Sequence, residues 1–583
     1  YNIEYVIGGL EYFDEVLGRN RTFLNRPFNE GWDNDRVEDY IIRETLVPIL
    51  EMYAAHPTWR FTVELQAYAV EVMAARHPDA LALLRTLAQR GQAEVVSFHY
   101  AAQLFLAFPR EDQERSLART RAIFEEHCIP LSGVVFKQEG QAGEGRQQLL
   151  VDAGYTIGVF PRNLWRYVRP ETPWPVYASE GGGLIVGPGG VDPASGIEVT
   201  WPFFDDGELR AVEDLRNPYF APVAPHVPAR VAEFEAQLAA LEADGWKHAT
   251  ITDYVRQVEG MGIEVPEAPP VLDGTWQPPS TDSIHRWLGG RSQANIGDEE
   301  DNRLRSGNAI ARMHADATQV LVEVAAAQGV DTSVWDDELA RMWKALWHAQ
   351  VSDGSGVNPW RAEVLWCLAR NTEVLERATT IRTAVLAELG WEHAVVDLAT
   401  RDAQEAPGLP IPEAPEAVDP WFDIDTTGDG RTLDVAWYRV GGDDRARVQL
   451  TYSAATDCGR DCDEARIALA FPWDGTTLRY SPALIEDEVR SYTMADFTFL
   501  EDQAFLPLAN GLIGLGDDLW LIKHTRSVHI AARISPSDDH VRFIDAAILP
   551  TTSGTWEFDV FRGSADDALA IANALNIDPL VWY

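Results

Sequence analysis

The chain has 583 residues, more than one hydrophobic core organises, so about two to four domains are expected. Its 46 % hydrophobic and 24 % charged residues are ordinary for a globular protein, but 91 Asp and Glu against 48 Lys and Arg give a net charge of −43. Such a surface repels nucleic acid and anionic membranes, and no apolar run reaches the length of a membrane span.

The chain begins at Tyr1 without Met and enters a strand-like run, Asn2–Ile7, at once. This pattern is expected of a trimmed N-terminus and favours a secreted or periplasmic protein. From there to residue 265 short apolar runs alternate with amphipathic segments. Strands are expected at Asn2–Ile7, Arg60–Leu65, Ala93–Phe98, Gly133–Lys137, Thr156–Phe160, Ile197–Phe203 and Ala249–Thr252. Pro78 opens one helix that Gly91 closes, and Pro228 opens another that Gly245 closes. Seven short strands alternating with helices point to an α/β fold, a parallel barrel rather than an antiparallel sheet.

Residues 266–300 are rich in Pro, Gly and Trp, as lids and binding loops are, and helical periodicity follows from Asn302 to Thr400. A Pro- and Glu-rich stretch, 403–420, reads as a linker. Beyond it, the alternating runs Thr432–Val440, Val448–Tyr452 and Val541–Ile548 predict a β-sandwich over 421–583. Cys128 and Cys367 sit in helical patterns as buried thiols. Cys458 and Cys462, in TDCGRDC, either close a small disulfide loop or stay free. Asp423–Asp434 has the oxygens and glycines of a calcium loop but lacks its downstream Glu, so a β-turn is the better reading.

Polar residues just past parallel strands converge on one rim, where α/β proteins bind ligands. Four stretches qualify: Glu64 and Gln66 after FTV; Glu94 and His99 around VVSF; Glu139 in a loop with Gly140, Gly143 and Gly145; and Asp205-Asp206-Gly207-Glu208 after Trp201. Two carboxylates on such a rim are what acetal hydrolysis of a sugar requires. The 20 Trp add flat faces for sugar rings, among them Trp276 and Trp287 in the lid. No second cysteine pair beside Cys458 and Cys462, and no histidine pair, stands at metal-ligand spacing, so neither metal nor cofactor is expected.

These stretches resemble motifs of glycoside hydrolase family 57. GQAEVVSFHY (Gly91–Tyr100) is similar to its G-x-V-E run, FKQEG (Phe136–Gly140) to its W-x-x-E-C nucleophile motif, and DGEL (Asp206–Leu209) to its D-x-E-x-F-G acid/base motif. VSDGSGVNPW (Val351–Trp360) resembles the late S-D motif with its aromatic, and FTVELQ the F-T-hydrophobic-E run. The family's early His-Gln-Pro motif is absent, with Gly9-Leu10-Glu11-Tyr12 in its place, and Gly140 and Phe136 replace the usual Cys and Trp. The resemblance implies an incomplete (β/α)7 barrel over 1–265, a region at 266–402 that completes the site, the linker 403–420 and a C-terminal β domain. It implies retaining cleavage or transfer at an α-glycosidic bond of an oligo- or polysaccharide. Carried over by position, Glu139 is the nucleophile and Asp206 the acid/base, with Asp205 next if the alignment slips by one. Glu11, Glu64, Gln66, Glu94, His99, Trp201, Asp353 and Trp360 are then expected around the sugar. The rivals are a metal-dependent mannosidase or deacetylase, for which Asp205-Asp206 speaks, and a glycan-binding protein on a degenerate barrel.

Overall fold

The computed structural model describes residues 1–4, 11–14, 19–22, 32–136, 140–141, 143, 149–160, 175–179, 184–186, 190–191, 196–201, 207–211, 226–268, 273, 301–354, 361–410, 414–428, 430–455, 466–483, 485–494, 504–506, 510–528, 532–534, 539–547 and 553–583. The N-terminal region is built on short parallel strands. Phe61–Glu64 pairs in parallel with Ala93–Val96, in the register Phe61↔Ala93 to Glu64↔Val96. Val95 bridges in parallel to Leu131, and the Ser132 amide donates to the Val95 carbonyl (2.9 Å). Val134–Val135 then pairs in parallel with Ile157–Val159, and that strand with Leu184–Val186. Val96, Val134, Ile157 and Val159 are buried together with Val255, the doubly covered pattern of parallel strands.

Four expected strands are therefore present, each shorter than its apolar run. Two readings are corrected. Ala249–Thr252 is not a strand: Thr250 caps the helix Ile251–Gly260, its hydroxyl accepting from the Asp253 amide while the Asp253 carboxylate accepts from the Thr250 amide. The S/T-x-x-D spacing carries that box, and the apolar residues around it disguise it. Of the run Ile197–Phe203, the described residues 197–201 contribute Glu198–Val199, antiparallel to Gly190–Val191 and not to a parallel neighbour. Residues 1–4 form no strand, and the rest of Asn2–Ile7 lies outside the described residues. Pro78–Gln89 and Pro228–Ala243 are helices, with Gly91 and Gly245 at positive φ just beyond them.

Three long helices, Asp301–Ala327, Asp336–Ala349 and Arg361–Leu389, follow as expected from the periodicity. Their apolar faces share one core with the parallel-strand region, in which Leu321, Leu346, Val374 and Ile381 lie with Ile41, Leu65 and Val95. The helical pattern ends earlier than Thr400, since Ala394–Asp397 and Asp402–Glu405 form an antiparallel pair. Cys367 is buried, but Cys128 is exposed: it lies beyond the end of helix Arg110–Glu126 at φ 54°, where the chain turns away from the core.

Beyond residue 420 two antiparallel sheets face one another. Leu469, Phe471 and Val541 of a five-stranded sheet pack against Trp437, Val448, Trp556 and Phe558 of a seven-stranded one. Asp423–Asp434 is the corner between them, with strand Asp425–Gly428 in one sheet and Leu433–Arg439 in the other. The last strand, Leu580–Trp582, leaves this unit and pairs with Ala394–Asp397, where Val581 joins the core of the long helices. The stretch expected as a free linker is pinned at both ends: the Ala406 amide donates to His393 O (2.9 Å) and the Val418 amide to Trp437 O (3.0 Å). Limited proteolysis between residues 407 and 415 is therefore expected to nick the chain without separating the pieces. Two bands on a denaturing gel should co-elute as one species by native size exclusion; separate native elution would refute the returning strand.

Candidate functional site

Strand Phe61–Glu64 brings Glu64 to its carboxyl end, in contact with residues 1–4. The Tyr1 nitrogen donates to Glu64 O (2.9 Å), and Gln66 Nε2 donates to Asn2 Oδ1 (3.0 Å). Burial pushes the Glu64 carboxyl up to about 7; the charge at the Tyr1 nitrogen opposes the shift and Glu208 adds to it. Glu208 belongs to the turn Gly207–Leu209 and is fully buried. The chain comes this close because Gly207 has no side chain: a Cβ there would lie 2.3 Å from the Tyr1 ring. Two carboxylates, Glu64 and Glu208, thus sit in one poorly solvated region at the carboxyl ends of the strands, and repulsion from Glu208 adds to burial in favouring neutral Glu64.

The segment after Glu139 is anchored on the same side of the strands. Gly140 has φ 53°, and the buried Gln141 side chain donates from Nε2 to Gln103 O (3.0 Å) and accepts at Oε1 from the Leu106 amide (3.1 Å). Gly143 lies against Asp273, where a Cβ would fall 1.8 Å from Oδ1, and Asp273 Oδ2 accepts from the Ala483 amide (2.7 Å). Residue 273 therefore ties the Glu139-bearing stretch to the C-terminal unit.

The helical region supplies the turn Ser352–Gly354, which holds Asp353. It is stitched to the segment after strand Ala93–Val96: the Leu104 amide donates to Gln350 O (2.9 Å), the Ser352 amide to Ala102 O (2.8 Å), and Val351 bridges Gln103. His348, at the end of helix Asp336–Ala349, pairs with Glu4 through Nδ1, and its ring stands edge-on to Tyr68 at 4.7 Å. Neither Glu4 nor His348 was expected in the site. A histidine two residues before the apolar-to-polar break at Gln350-Val351-Ser352 was the available signal.

Of the expected residues, Glu64, Gln66 and the turn with Asp353 lie at the carboxyl ends of the strands. His99 is there too, wholly buried, its carbonyl accepting from the Ala67 amide (3.3 Å) and its ring against Phe98. Glu94 has a different setting. Near the start of its strand it accepts from Thr62 Oγ1 (2.9 Å), Ser132 Oγ (2.9 Å), the Thr252 amide (3.4 Å) and the Thr252 hydroxyl. Both oxygens are engaged, and the carboxylate faces the N-terminus of helix Ile251–Gly260, a stabilising place for negative charge. Trp201 packs on the Val96–Val134–Ile157 cluster. Glu11 lies in the hairpin Glu11–Asp14/Arg19–Thr22. Glu139, Asp205, Asp206, Trp276, Trp287, Trp360, Cys458 and Cys462 lie outside the described residues. Among the described residues no three His, Cys, Asp or Glu side chains converge as ligands of a metal would, and no helix is long and apolar enough to cross a membrane.

The Glu64 shift and that of Glu486, also about 7, make stability depend on pH. Glu486 is pushed up by burial, against the Arg110 amide that it accepts. For a carboxyl whose folded value is raised, the stabilising contribution is complete below the unfolded value, about 4.3, and lost as pH rises through the folded one. Between those values each group costs about 1.4 kcal/mol per pH unit. The melting temperature is expected to fall from pH 5 to pH 8, and Glu486→Gln to flatten that slope and raise the midpoint at pH 8. An unchanged slope in unfolding scans of the variant would refute the assignment.

Parallel strands with interleaved helices, a three-helix region and paired antiparallel sheets make this a mixed α/β protein. Its fold is similar to that of an alpha-mannosidase from Enterococcus faecalis V583, at 10 % identity over 94 % of this chain and 87 % of that one, with a TM-score of 0.59. It is similar also to a protein in the glycosyl hydrolase family 38 from Enterococcus faecalis (10 % identity, 94 % of this chain, 86 % of that one, TM-score 0.56). A GH57-type branching enzyme from Pyrococcus horikoshii overlaps less, at 10 % identity over 62 % of this chain and 88 % of that one, with a TM-score of 0.42. No family model matches the chain, and no curated protein matches it in sequence.

Proposed function

We propose that the chain is a retaining glycoside hydrolase or transglycosylase for α-linked oligo- or polysaccharides, with Glu139 as nucleophile and Asp206 as acid/base. The observation that carries this is where the flanking residues go. Gln141, two residues past Glu139, and Gly207-Glu208, directly after Asp206, are fixed at the carboxyl ends of parallel strands, together with Glu64 and the Asp353 turn. In open α/β folds that side binds ligands, and the glycosidases of similar fold favour a sugar as the ligand.

The chemistry then follows. Glu139 attacks the anomeric carbon while Asp206 gives its proton to the departing oxygen; Asp206 next takes a proton from water or an acceptor sugar, which displaces the enzyme from the same face. Once ionised, Glu64 and Glu208 place poorly solvated negative potential near this step. Such potential favours the positive charge of the oxocarbenium-like transition state and keeps a neighbouring acid protonated. The same potential disfavours uronic or sulfated sugars, so a neutral glycan is the fitting substrate. Gln66, His99 and Asp353 are the polar groups proposed to meet its hydroxyls, with Trp360, Trp276 and Trp287 as stacking faces.

The likeness to an alpha-mannosidase sustains one second reading, a metal-assisted hydrolysis. A screen of α-linked gluco-, manno- and galacto-oligosaccharides, read by NMR for the product anomer, tests both. Product of retained configuration, unaffected by exhaustive chelation, is expected. Turnover lost with chelator and restored by zinc would establish the second reading, and an inverted product would sink the two-carboxylate retaining scheme.

A further inference from the structure

A chain of hydrogen-bonded side chains runs unbroken through the interior. Gln103 lies at its middle. Its Nε2 donates to Gln350 Oε1 (2.7 Å), its Oε1 accepts from Ser116 Oγ (2.5 Å), and its main-chain carbonyl accepts from Gln141 Nε2 (3.0 Å). Ser116 Oγ in turn accepts from the Tyr100 amide (2.8 Å). Gln350 continues the chain outward, donating from Nε2 to Asp112 Oδ2 (2.8 Å), while Asp112 Oδ1 accepts from Arg312 Nε (2.7 Å). Arg312 ends it by donating to the carbonyl of Ile577. Gln103, Ser116, Gln141 and Gln350 have no exposed surface, and Asp112 and Arg312 are at most 2 % exposed.

Buried polar side chains are costly unless each finds its partners, and a satisfied network fixes one geometry where apolar packing tolerates several. Here the fixed geometry joins segments that are far apart in sequence. Gln141 is two residues past Glu139. Gln350 caps the helix that leads into the Asp353 turn, and the Leu104 amide bonds its carbonyl as well. The segment between, Ala101–Leu104, touches both. Hydrophobic contacts alone set such distances loosely, whereas productive geometry must hold to about half an ångström.

We propose that Gln103 and Gln350 are positioning residues that hold the Gly140–Gln141 segment and the Ser352–Gly354 turn at a fixed separation, and that Asp112 and Arg312 extend this hold to the C-terminal unit. The role in turnover rests on the proposed function; the mechanical coupling does not. It is therefore tested first without substrate, by hydrogen–deuterium exchange on the full chain. Gln103→Met keeps the length of the side chain and removes its bonds to Gln350 and Ser116, which orient the main-chain carbonyl that Gln141 bonds. Amides in both 140–143 and 350–354 are expected to exchange about tenfold faster, with helices Pro78–Gln89 and Pro228–Ala243 unchanged. Ser116→Ala, a milder loss, should open the same two segments to a smaller extent, and it decides the matter if Gln103→Met does not fold. On the best glycoside from the screen, kcat should drop about tenfold or more in Gln103→Met with KM within about twofold, because geometry rather than binding is lost. Faster exchange spread evenly over the chain, or confined to one of the two segments, would overturn the proposal. So would unaltered exchange and kcat in a variant series where Glu139→Gln is inactive. Full turnover in Glu139→Gln would instead sink the functional reading while leaving the exchange result to stand or fall alone.

Discussion

Glu139→Gln is expected to abolish turnover on every glycoside, by about 10⁴-fold or more, since no covalent intermediate forms without the carboxylate. Asp206→Asn is expected to behave differently. A substrate with a good leaving group departs without a proton, so its first step survives while the second stalls for want of a base. Azide needs no deprotonation and should rescue this variant, giving a glycosyl azide of retained configuration. Rescue of Glu139→Gln instead, or an inverted azide, would show the roles to be exchanged or the partner misassigned. The retaining scheme also sets a distance: about 5–5.5 Å between the two carboxyl groups. A separation beyond about 10 Å in a crystal structure would remove Asp206 and leave Asp205 as the next carboxylate to test.

The neighbouring groups sharpen this expectation. Glu64→Gln removes a buried carboxyl that ionises near pH 7 while keeping the shape, so the alkaline limb of the pH–rate profile reports whether its charge supports protonation nearby. Glu94→Gln serves as a contrast, since the Glu94 carboxylate is held by Thr62, Ser132 and Thr252 at the start of its strand. Loss there should show in stability and not in the profile.

What the sequence disclosed and what it hid have physical reasons. Four parallel strands were legible because valines and isoleucines covered on both faces leave short, bounded apolar runs, as at Val134–Val135 and Ile157–Val159. The three long helices were legible from a repeat maintained over many turns. Ala249–Thr252 misled because four residues cannot distinguish an apolar strand from a cap and first turn, and the Thr250–Asp253 box decided it. The stretch 403–420 has linker composition, yet its ends are held by main-chain hydrogen bonds, which composition does not register. The returning strand Leu580–Trp582 was hidden for a similar reason, since its partner is 185 residues earlier in the chain, at Val395↔Trp582 to Asp397↔Leu580, and only pairing reveals it. In the site, Glu64 announced itself by ending an apolar strand, Phe61–Glu64. Glu4, His348, Gln103 and Gln350 did not, because a buried glutamine or histidine has no local pattern; its role is fixed by partners on other elements.

Arg312→Met is expected to be the most destabilising single change outside the proposed chemistry, by about 3–5 kcal/mol in equilibrium unfolding. Arg312 is 2 % exposed and faces the buried Asp112 at 2.7 Å, with the half-buried Glu111 at 3.3 Å, so its loss strands the Asp112 carboxylate where water cannot reach. Asp316 shares the cluster. Against the burial that would raise it, Arg115 and Arg312 hold its carboxyl below the usual range, and Arg401 adds a contact at 3.2 Å. The cost therefore comes from unpaired buried charge and not from lost packing, for Met fills much of the same space. That distinction is measurable. Removing the opposing charge as well, in Arg312→Met/Asp112→Asn, should recover more than half of the loss, because a neutral amide in the interior still accepts from Gln350 and no longer needs a cation. Arg312 also donates to Ile577 O, three residues before the strand Leu580–Trp582 that closes the C-terminal unit onto the helices. The single variant should accordingly release that strand, seen as faster amide exchange at 580–582, and the double variant should release it equally despite its regained stability. A loss below about 1 kcal/mol in Arg312→Met would mean that Arg115 and Arg401 carry the cluster without it.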